Sequence, residues 1–512
     1  MSTFSLVLHA HMPYCRKAGT WPAGEEWLFE AILECYLPLV ELLQSWQASK
    51  QNTKLLLGLV PILAEQLDDP YMKMRFAEYL DDRIQRAVND QHRFAHQDAL
   101  RKTAEYWQQE YTRMRDLWRS IEGAICPKLA ELSRAGVCEL MCSSATHAFL
   151  PLFESNANIR AQLAVGVDSH RRRFGQQPQA FWLPECAYRP AKGELPALDE
   201  VLADFGLRYF FIESSGLRAA HCSTAASTQQ GYRFASGVTV FARNDATGKQ
   251  VWSPHDGYPG APEYLEFHRK DPESGLRYWA VSQADEKLIY DPERAGARLG
   301  AQARHFVSLL HAQREQGLGE GIEDPIIVAP YDAELFGHWW HEGVRWIGAV
   351  CAELANDPLL RCQSPGDHLD QQRQQAPSIH HLPPTSWGEN GDFSVWTNPQ
   401  HAWIWPLLND VSRQLEALPK GHDGSPRARR LHSQIAREIL LLQGSDWPFL
   451  LHTGQAQDYA NQRFHQHHQR LLKLLWAARD SGASERLDDA SLAQMEELDN
   501  PWPQIDLAPW SR

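Results

Sequence analysis

Nowhere in this sequence is there an uninterrupted apolar run of the ~18 residues that would cross a bilayer, so no membrane-spanning helix is expected. Positive charge is short: 50 Lys and Arg against 64 Asp and Glu leave a formal charge of −14. Such a chain offers no basic field to draw phosphate, which argues against nucleic acid or an anionic membrane as a partner. The amino terminus, MSTFSLVLHAHMPY, lacks the cationic start, long apolar core and small-residue cleavage site of a signal peptide. A Cys-x-x-Cys pair is also missing. The nine cysteines, an odd number scattered from Cys15 to Cys362, read as reduced thiols in a cytoplasmic protein with no structural zinc site.

What is present is an ordinary globular balance, 43% hydrophobic and 22% charged, over 512 residues. That length accommodates a large core and more than one structural unit. Tryptophan is abundant, and several of the 19 sit beside Gly, Pro, Asn and Asp in irregular segments. A flat apolar ring on a polar loop suits stacking on a sugar face, although core packing explains many tryptophans as well.

Seven short apolar runs end in polar residues: FSLVLHAH, KLLLGLV, VCELMCSS, QAFWLPE, RYFFIES, VTVFARN and PIIVAPYD. Each reads as a buried strand, and most stretches between them carry helical periodicity. The alternation predicts a parallel α/β barrel of TIM type, one strand short, with a doubly wound open sheet as the alternative. His9, His11, Ser143 to His147, Glu185, Glu213, Arg243 and Asp332 then fall at strand carboxyl ends, the face that carries the active site in such barrels. Residues 71–135 are charged, helical and strand-free, and read as a helical insertion within a barrel of residues 1–375. Residues 213–237 are small, polar and strand-free, and suggest a mobile loop over the active face. Residues 376–512 read as a C-terminal helical domain reaching the cleft, with a polar break, LPKGHDGSPRA, between its first two helices.

Two acidic residues stand out. Glu185 in WLPECAY and Asp332 in APYDAELFGHWW each follow a buried strand and sit between large apolar side chains. A retaining glycosidase needs two such carboxyl groups, one as nucleophile and one as acid/base, with their proton affinities set apart by their surroundings. A lone Asp or Glu is more often a solvated surface residue, so the pairing matters more than either member.

Taken together, LVLHAHMPY, SSATHAFLP, WLPECAY and APYDAELFGHWW resemble four signature regions of glycoside hydrolase family 57, and SWGENGDFSVWTNPQHAWIWP resembles the fifth. They occur in family order from residue 4 to about residue 459. The resemblance implies an incomplete (β/α)7 barrel with a helical insertion and a C-terminal helical domain. It also implies a retaining double displacement, with Glu185 matching the nucleophile and Asp332 the acid/base. The chain looks most like the 1,4-α-glucan branching enzymes of that family, which cut an α-1,4 bond, hold the glucan covalently and pass it to a 6-hydroxyl. No cofactor or metal is implied; the expected partner is an α-1,4-glucan, and the expected state a monomer.

Around this pair the sequence offers further candidates. His9 and His11 alternate on one strand and point the same way. With His147 they could form a metal set, but the resemblance assigns them to sugar hydroxyls. Arg243 is placed to orient a carboxylate, taken as Glu185, and keep it ionised. Trp27, Trp252, Trp387, Trp396 and Trp405 are candidate stacking platforms, the last two foremost because they frame the fifth motif. Glu334, His338 and Trp340 surround Asp332. Asp446 in SDWPF would reach the cleft or serve as a helix cap. Tyr232, the one aromatic between Glu213 and Gly237 besides Phe234, matches by context the lid tyrosine of the resembling enzymes, which favours transfer by excluding water. The segment before His147 departs from the family pattern, with Ser143-Ser144-Ala145-Thr146 where Gly is common, which puts substrate fit in question. The nearest alternative activity is an α-amylase or 4-α-glucanotransferase using the same carboxylates. A glucan-binding protein without activity, or a metal-dependent deacetylase on a similar barrel, are readings of other classes.

Overall fold

The computed structural model describes residues 1–253, 256–282, 286–372, 374–418, 424–479 and 487–511. All seven expected strands form: β1 (Ser2–Ala10), β2 (Leu55–Leu59), β3 (Cys138–Ser143), β4 (Ala180–Trp182), β5 (Tyr209–Ile212), β6 (Thr239–Ala242) and β7 (Ile326–Asp332). They pair in parallel in the order β7-β1-β2-β3-β4-β5-β6. β1 is buried along its whole length, as a parallel strand covered on both faces must be. Its alternate residues divide between two cores. Val7 points inward with Leu56, Met141, Trp182, Phe211, Phe241 and Val328, while Leu6 and Leu8 face the surrounding helices.

The curl is incomplete between β6 and β7. One backbone hydrogen bond, Asn244 N to Val328 O at 2.9 Å, bridges that seam. The rest is filled from the segment read as a mobile loop. Gln229 O accepts from Ile326 N at 2.8 Å, and Tyr232–Arg233 forms a short antiparallel strand on β6. This corrects the expectation for residues 213–237. They hold a short helix, Ser214–Arg218, and two two-residue strands; His221–Cys222 pairs with Ile379–His381 in a separate ribbon, and unpaired edge groups of the open barrel draw residues 229–233 into the sheet.

The stretch 71–135 carries helices Pro70–Arg93, Asp98–Ser120 and Ile125–Arg134. Asp69 caps the first through Met72 N, and the pair packs through Phe76, Tyr79, Trp107 and Trp118. Beyond residue 403 come helices Ile404–Glu416, Pro426–Leu442, Asp446–Thr453, Gln457–Arg479 and Asp489–Leu498 around their own core of Ile435, Ile439, Phe464, Leu471 and Leu475. Part of the polar break expected before the second of these, residues 419–423, lies outside the described residues. Among the described residues, no helix is long and apolar enough to cross a membrane.

Candidate active site

The carboxyl ends of the strands open into a cleft of about 480 Å³ lined by His9, His11, Met12, His147, Glu185, Arg243, Trp252, Asp332, Glu334, Trp339, Trp387, Asp446 and Phe449. Glu185 reaches it because β4 stops at Trp182 and Pro184 turns the chain. Glu185 itself takes φ 62° and ψ 26°, and Cys186 follows at φ 48°. Two successive non-glycine residues in the left-handed region are costly, of order 1–3 kcal/mol each, and are held by their surroundings. Here Trp387 supplies the clamp: its backbone N–H donates to Glu185 O at 3.0 Å and its indole N–H to Glu185 Oε2 at 2.7 Å. Asp332 ends β7, beside His9 in the register with β1.

Burial pushes the Glu185 carboxyl up to about 8; the Trp387 N–H opposes this, and the charges of Asp332 and Asp446 add to it. Burial also raises Asp332, to about 6, held back by His11 and Arg243. Between those values the two groups hold one proton between them, the number that one nucleophile and one acid require. Of the two, Glu185 is raised further, so the proton favours it, the reverse of the expected roles. Arg243 is part of the reason. It does not bind Glu185 but pairs with Glu213 Oε2 at 2.5 Å, so the orienting role expected of it is corrected: its charge stabilises ionised Asp332 instead.

The histidines stack as a column. His9 lies on Trp182 with ring centroids 4.5 Å apart, and His11 on His147 at 4.1 Å. His11 Nε2 meets Asp446 Oδ1 at 2.8 Å, and His147 Nδ1 meets Ser445 Oγ at 2.8 Å. Asp446 and Ser445 come from the C-terminal helices, whose backbone also holds His147, at φ 53°, through Ser445 N to His147 O at 3.2 Å. Glu334, pushed up to about 8 by burial and by Asp332, accepts from the Tyr36 hydroxyl at 2.5 Å and from His11 N at 3.1 Å.

Not every expected residue faces this cleft. Trp27 and His338 line an adjoining hollow of about 860 Å³ that shares His11, Met12, Trp339, Asp446 and Phe449 with it. Trp340 is 1% exposed, packed among Tyr264, Phe336 and Trp346; Trp339 beside it is 46% exposed and lines both spaces. Trp396 is buried flat against Phe149, with centroids 4.4 Å apart, and half-buried Trp405 donates its indole N–H to Trp396 O at 3.1 Å. Both build the wall behind Trp387 rather than a sugar platform. Tyr232 is fully buried, its hydroxyl accepting from Ser227 N at 2.7 Å and donating to Ala225 O at 3.2 Å, so it is a core residue of the seam and not a lid. The residues that sequence reading passed over are Met12, Trp339 and Phe449 in the lining, Tyr36 behind Glu334, Ser445 behind His147, and Glu213 as the partner of Arg243. Glu213 and Ser445 were legible in part, one at a strand end and the other in SDWPF.

Comparison with known proteins accords with this architecture. The model of glycosyl hydrolase family 57 matches residues 5–377, and that of the C-terminal region of 1,4-alpha-glucan branching enzyme matches residues 408–510. A 1,4-alpha-glucan branching enzyme of Thermococcus kodakarensis is 39% identical over 99% of this chain and 78% of its own, and its crystal structure superposes with a TM-score of 0.93, covering 99% of this chain and 96% of that one. A branching enzyme structure from Pyrococcus horikoshii gives 0.92 at 36% identity, covering 99% and 96%. The alpha-amylase AmyC of Thermotoga maritima gives 0.88 at 27% identity, covering 100% and 99%. With a family match over well over half its length and a 39% identical relative along nearly all of it, this chain belongs to glycosyl hydrolase family 57.

Proposed function

We propose that the chain is a 1,4-α-glucan branching enzyme working by retaining double displacement, with Glu185 as nucleophile and Asp332 as acid/base. The observation that carries this reading is the meeting of these two half-buried carboxyl groups in one cleft, walled on one side by C-terminal residues Asp446 and Phe449. Asp332 protonates the leaving glycosidic oxygen while Glu185 attacks the anomeric carbon. Asp332, then ionised, deprotonates the incoming 6-hydroxyl, which displaces Glu185. The shared proton must therefore sit on Asp332 when bond cleavage begins. A glycosidic oxygen offering a lone pair to Asp332, and positive charge developing at the anomeric carbon beside Glu185, both drive it there.

Transfer instead of hydrolysis requires the covalent glucan to be kept from water until an acceptor arrives. The cleft and the adjoining hollow meet at exposed Trp339 and Phe449, so donor and acceptor chains have separate seats sharing one wall. The reading places the protein in synthesis of a glycogen-type polymer in the cytoplasm, acting as a monomer on an α-1,4-glucan. Hydrolysis is the second reading, favoured by the full-length likeness to the Thermotoga alpha-amylase. Incubation with amylose, followed by counting new reducing ends and the chains a debranching enzyme releases, separates the two. Branches in excess of stable reducing ends are expected; reducing ends without branches would overturn the assignment.

A further inference from the structure

His9 lines the cleft but is only 2% exposed, sealed beneath the stack with Trp182, which leaves little of the ring for a sugar to touch. Its Nε2 lies 2.9 Å from His147 Nε2, so one of these nitrogens must carry the proton between them. The other nitrogen of His9 decides which. His9 Nδ1 faces the strand β2 at Gly58, where a Cβ placed on that glycine would lie 3.8 Å away, and it has no hydrogen-bond partner among the described residues. A buried N–H without an acceptor is rarer and costlier than an unfilled lone pair. The proton of neutral His9 therefore belongs on Nε2, where it donates to His147. Burial holds both rings well below the ordinary histidine value, so both are neutral.

We infer that His9 is a positioning residue that fixes the tautomer of His147, forcing the His147 proton onto Nδ1. That nitrogen lies 2.8 Å from Ser445 Oγ and 3.6 Å from Glu185 Oε1. The nucleophile is then flanked by two N–H groups: the Trp387 indole on Oε2 and, closing in from 3.6 Å, His147 on Oε1. The opposite tautomer would turn a lone pair toward Glu185 and repel the carboxylate that must form. The order of control runs from the unpartnered Nδ1 of His9 through His147 to the nucleophile. His9 thus acts on the reaction without contacting the substrate, in contrast to the sugar-binding role suggested by its motif. The kinetic part of this inference rests on Glu185 being the nucleophile; the tautomer part does not.

Two measurements test it, one independent of activity. Nitrogen NMR of the full chain labelled in its histidine rings, with the His147 signals identified by their loss in His147→Gln, should show His147 protonated on Nδ1 and His9 on Nε2. Protonation of His147 on Nε2 would overturn the inference whatever the enzyme does. Second, His9→Leu should lower kcat for glucan transfer on the order of 10²-fold with KM within about twofold, the size expected for losing one preorganised donor. His9→Gln, which can present an N–H to His147, should recover most of that loss. A raised KM at unchanged kcat, or failure of Gln to rescue a folded protein, would make His9 a sugar ligand or a packing residue. Expected tautomers with kinetics insensitive to Glu185→Gln would instead point to an error in the nucleophile assignment.

Discussion

At the scale of single residues, the chemistry turns on one proton held by two carboxyl groups of about 6 and about 8. Below the lower value both become protonated and no nucleophile remains; above the upper value both are ionised and no acid remains. The kcat/KM profile should therefore be a bell whose two limbs belong to the pair, flattening between about 6 and about 8. Glu185→Gln and Asp332→Asn should each lower kcat by at least about 10³-fold, and azide should partly rescue a truncated nucleophile variant such as Glu185→Ala. Near-normal turnover in either variant would refute the roles. The same burial has a stability consequence. A carboxyl raised in the folded state favours folding less and less as pH climbs from the ordinary value near 4.5 through about 8, because the unfolded chain ionises first. Glu185→Gln should then raise Tm at pH 9 and leave it unchanged at pH 4. About 2 cal/mol/K of unfolding entropy per residue makes each kcal/mol worth about 1 °C in a chain this long, so a rise of a few degrees is expected. Much of this site was legible in the sequence because each acid comes at the end of an apolar run, Asp332 closing β7 and Glu185 in the turn just after β4. The partner of Arg243 was not, since strand-end residues on neighbouring strands, Glu213 on one and Arg243 on the next, are as close as Glu185 in a sequence reading but differ in space. Nor could GHWW say which tryptophan turns inward.

Among the elements, the turn Ile32–Tyr36 braces the loop behind Asp332. It is a π-helical turn, and its extra residue per turn presents Glu34, Cys35 and Tyr36 to one loop. Tyr36 holds Glu334, Cys35 Sγ meets Ala333 O at 3.0 Å, and Glu34 meets His338 Nδ1 at 2.6 Å and Arg277 Nη1 at 2.7 Å. Gly337, at φ 105°, lies so close that a Cβ there would fall 1.8 Å from Glu34 O, which excludes any side chain. Burial opposes the charge on Glu34, but Arg277 and His338 outweigh it and bring the carboxyl down to about 2. Its stabilisation is present above the unfolded value near 4.5 and is lost as pH falls through about 2. Glu34→Ala leaves buried Arg277 without its carboxylate, at a cost of about 3–5 kcal/mol. Calorimetry at pH 7 should show Tm lower by about 3–5 °C, with the deficit shrinking in acid; an equal deficit at every pH would mean lost packing rather than a lost ion pair. The major strands could be read because each is a continuous apolar run bounded by polar residues. The two- and three-residue strands at 221–222, 360–362 and 379–381 could not, because they exist only through pairing with a distant edge.

Across the whole molecule, the barrel's mouth is finished by the other end of the chain. Thr146 beside the cleft donates its hydroxyl to Leu440 O at 2.6 Å, and Gln162 and Gln443 join side chains at 2.8 Å. The last residues then fold back as a strap. Trp502, 1% exposed, donates its backbone N–H to Glu65 Oε2 at 3.1 Å; Arg437 donates to Pro501 O at 2.9 Å; and the Trp510 indole donates to Asn158 Oδ1 at 2.8 Å. Glu65 belongs to the helix after β2 and Asn158 to the helix after β3, while Arg437 lies on the helix that leads into Ser445 and Asp446. One strap therefore ties the barrel's flank to the helix that leads into Asp446 of the cleft and Ser445 behind it. Because Ser445 and Asp446 hold His147 and His11, loosening the strap should be felt at the histidine column before the barrel itself opens. Trp502→Ala removes a large buried ring at a cost of about 3–5 kcal/mol. We expect Tm to fall by about 3–5 °C in a single calorimetric transition, with transfer activity lost in parallel on heating. Two separated transitions, with activity surviving the first, would mean that the C-terminal helices unfold without disturbing the cleft and that their contribution to the site is dispensable.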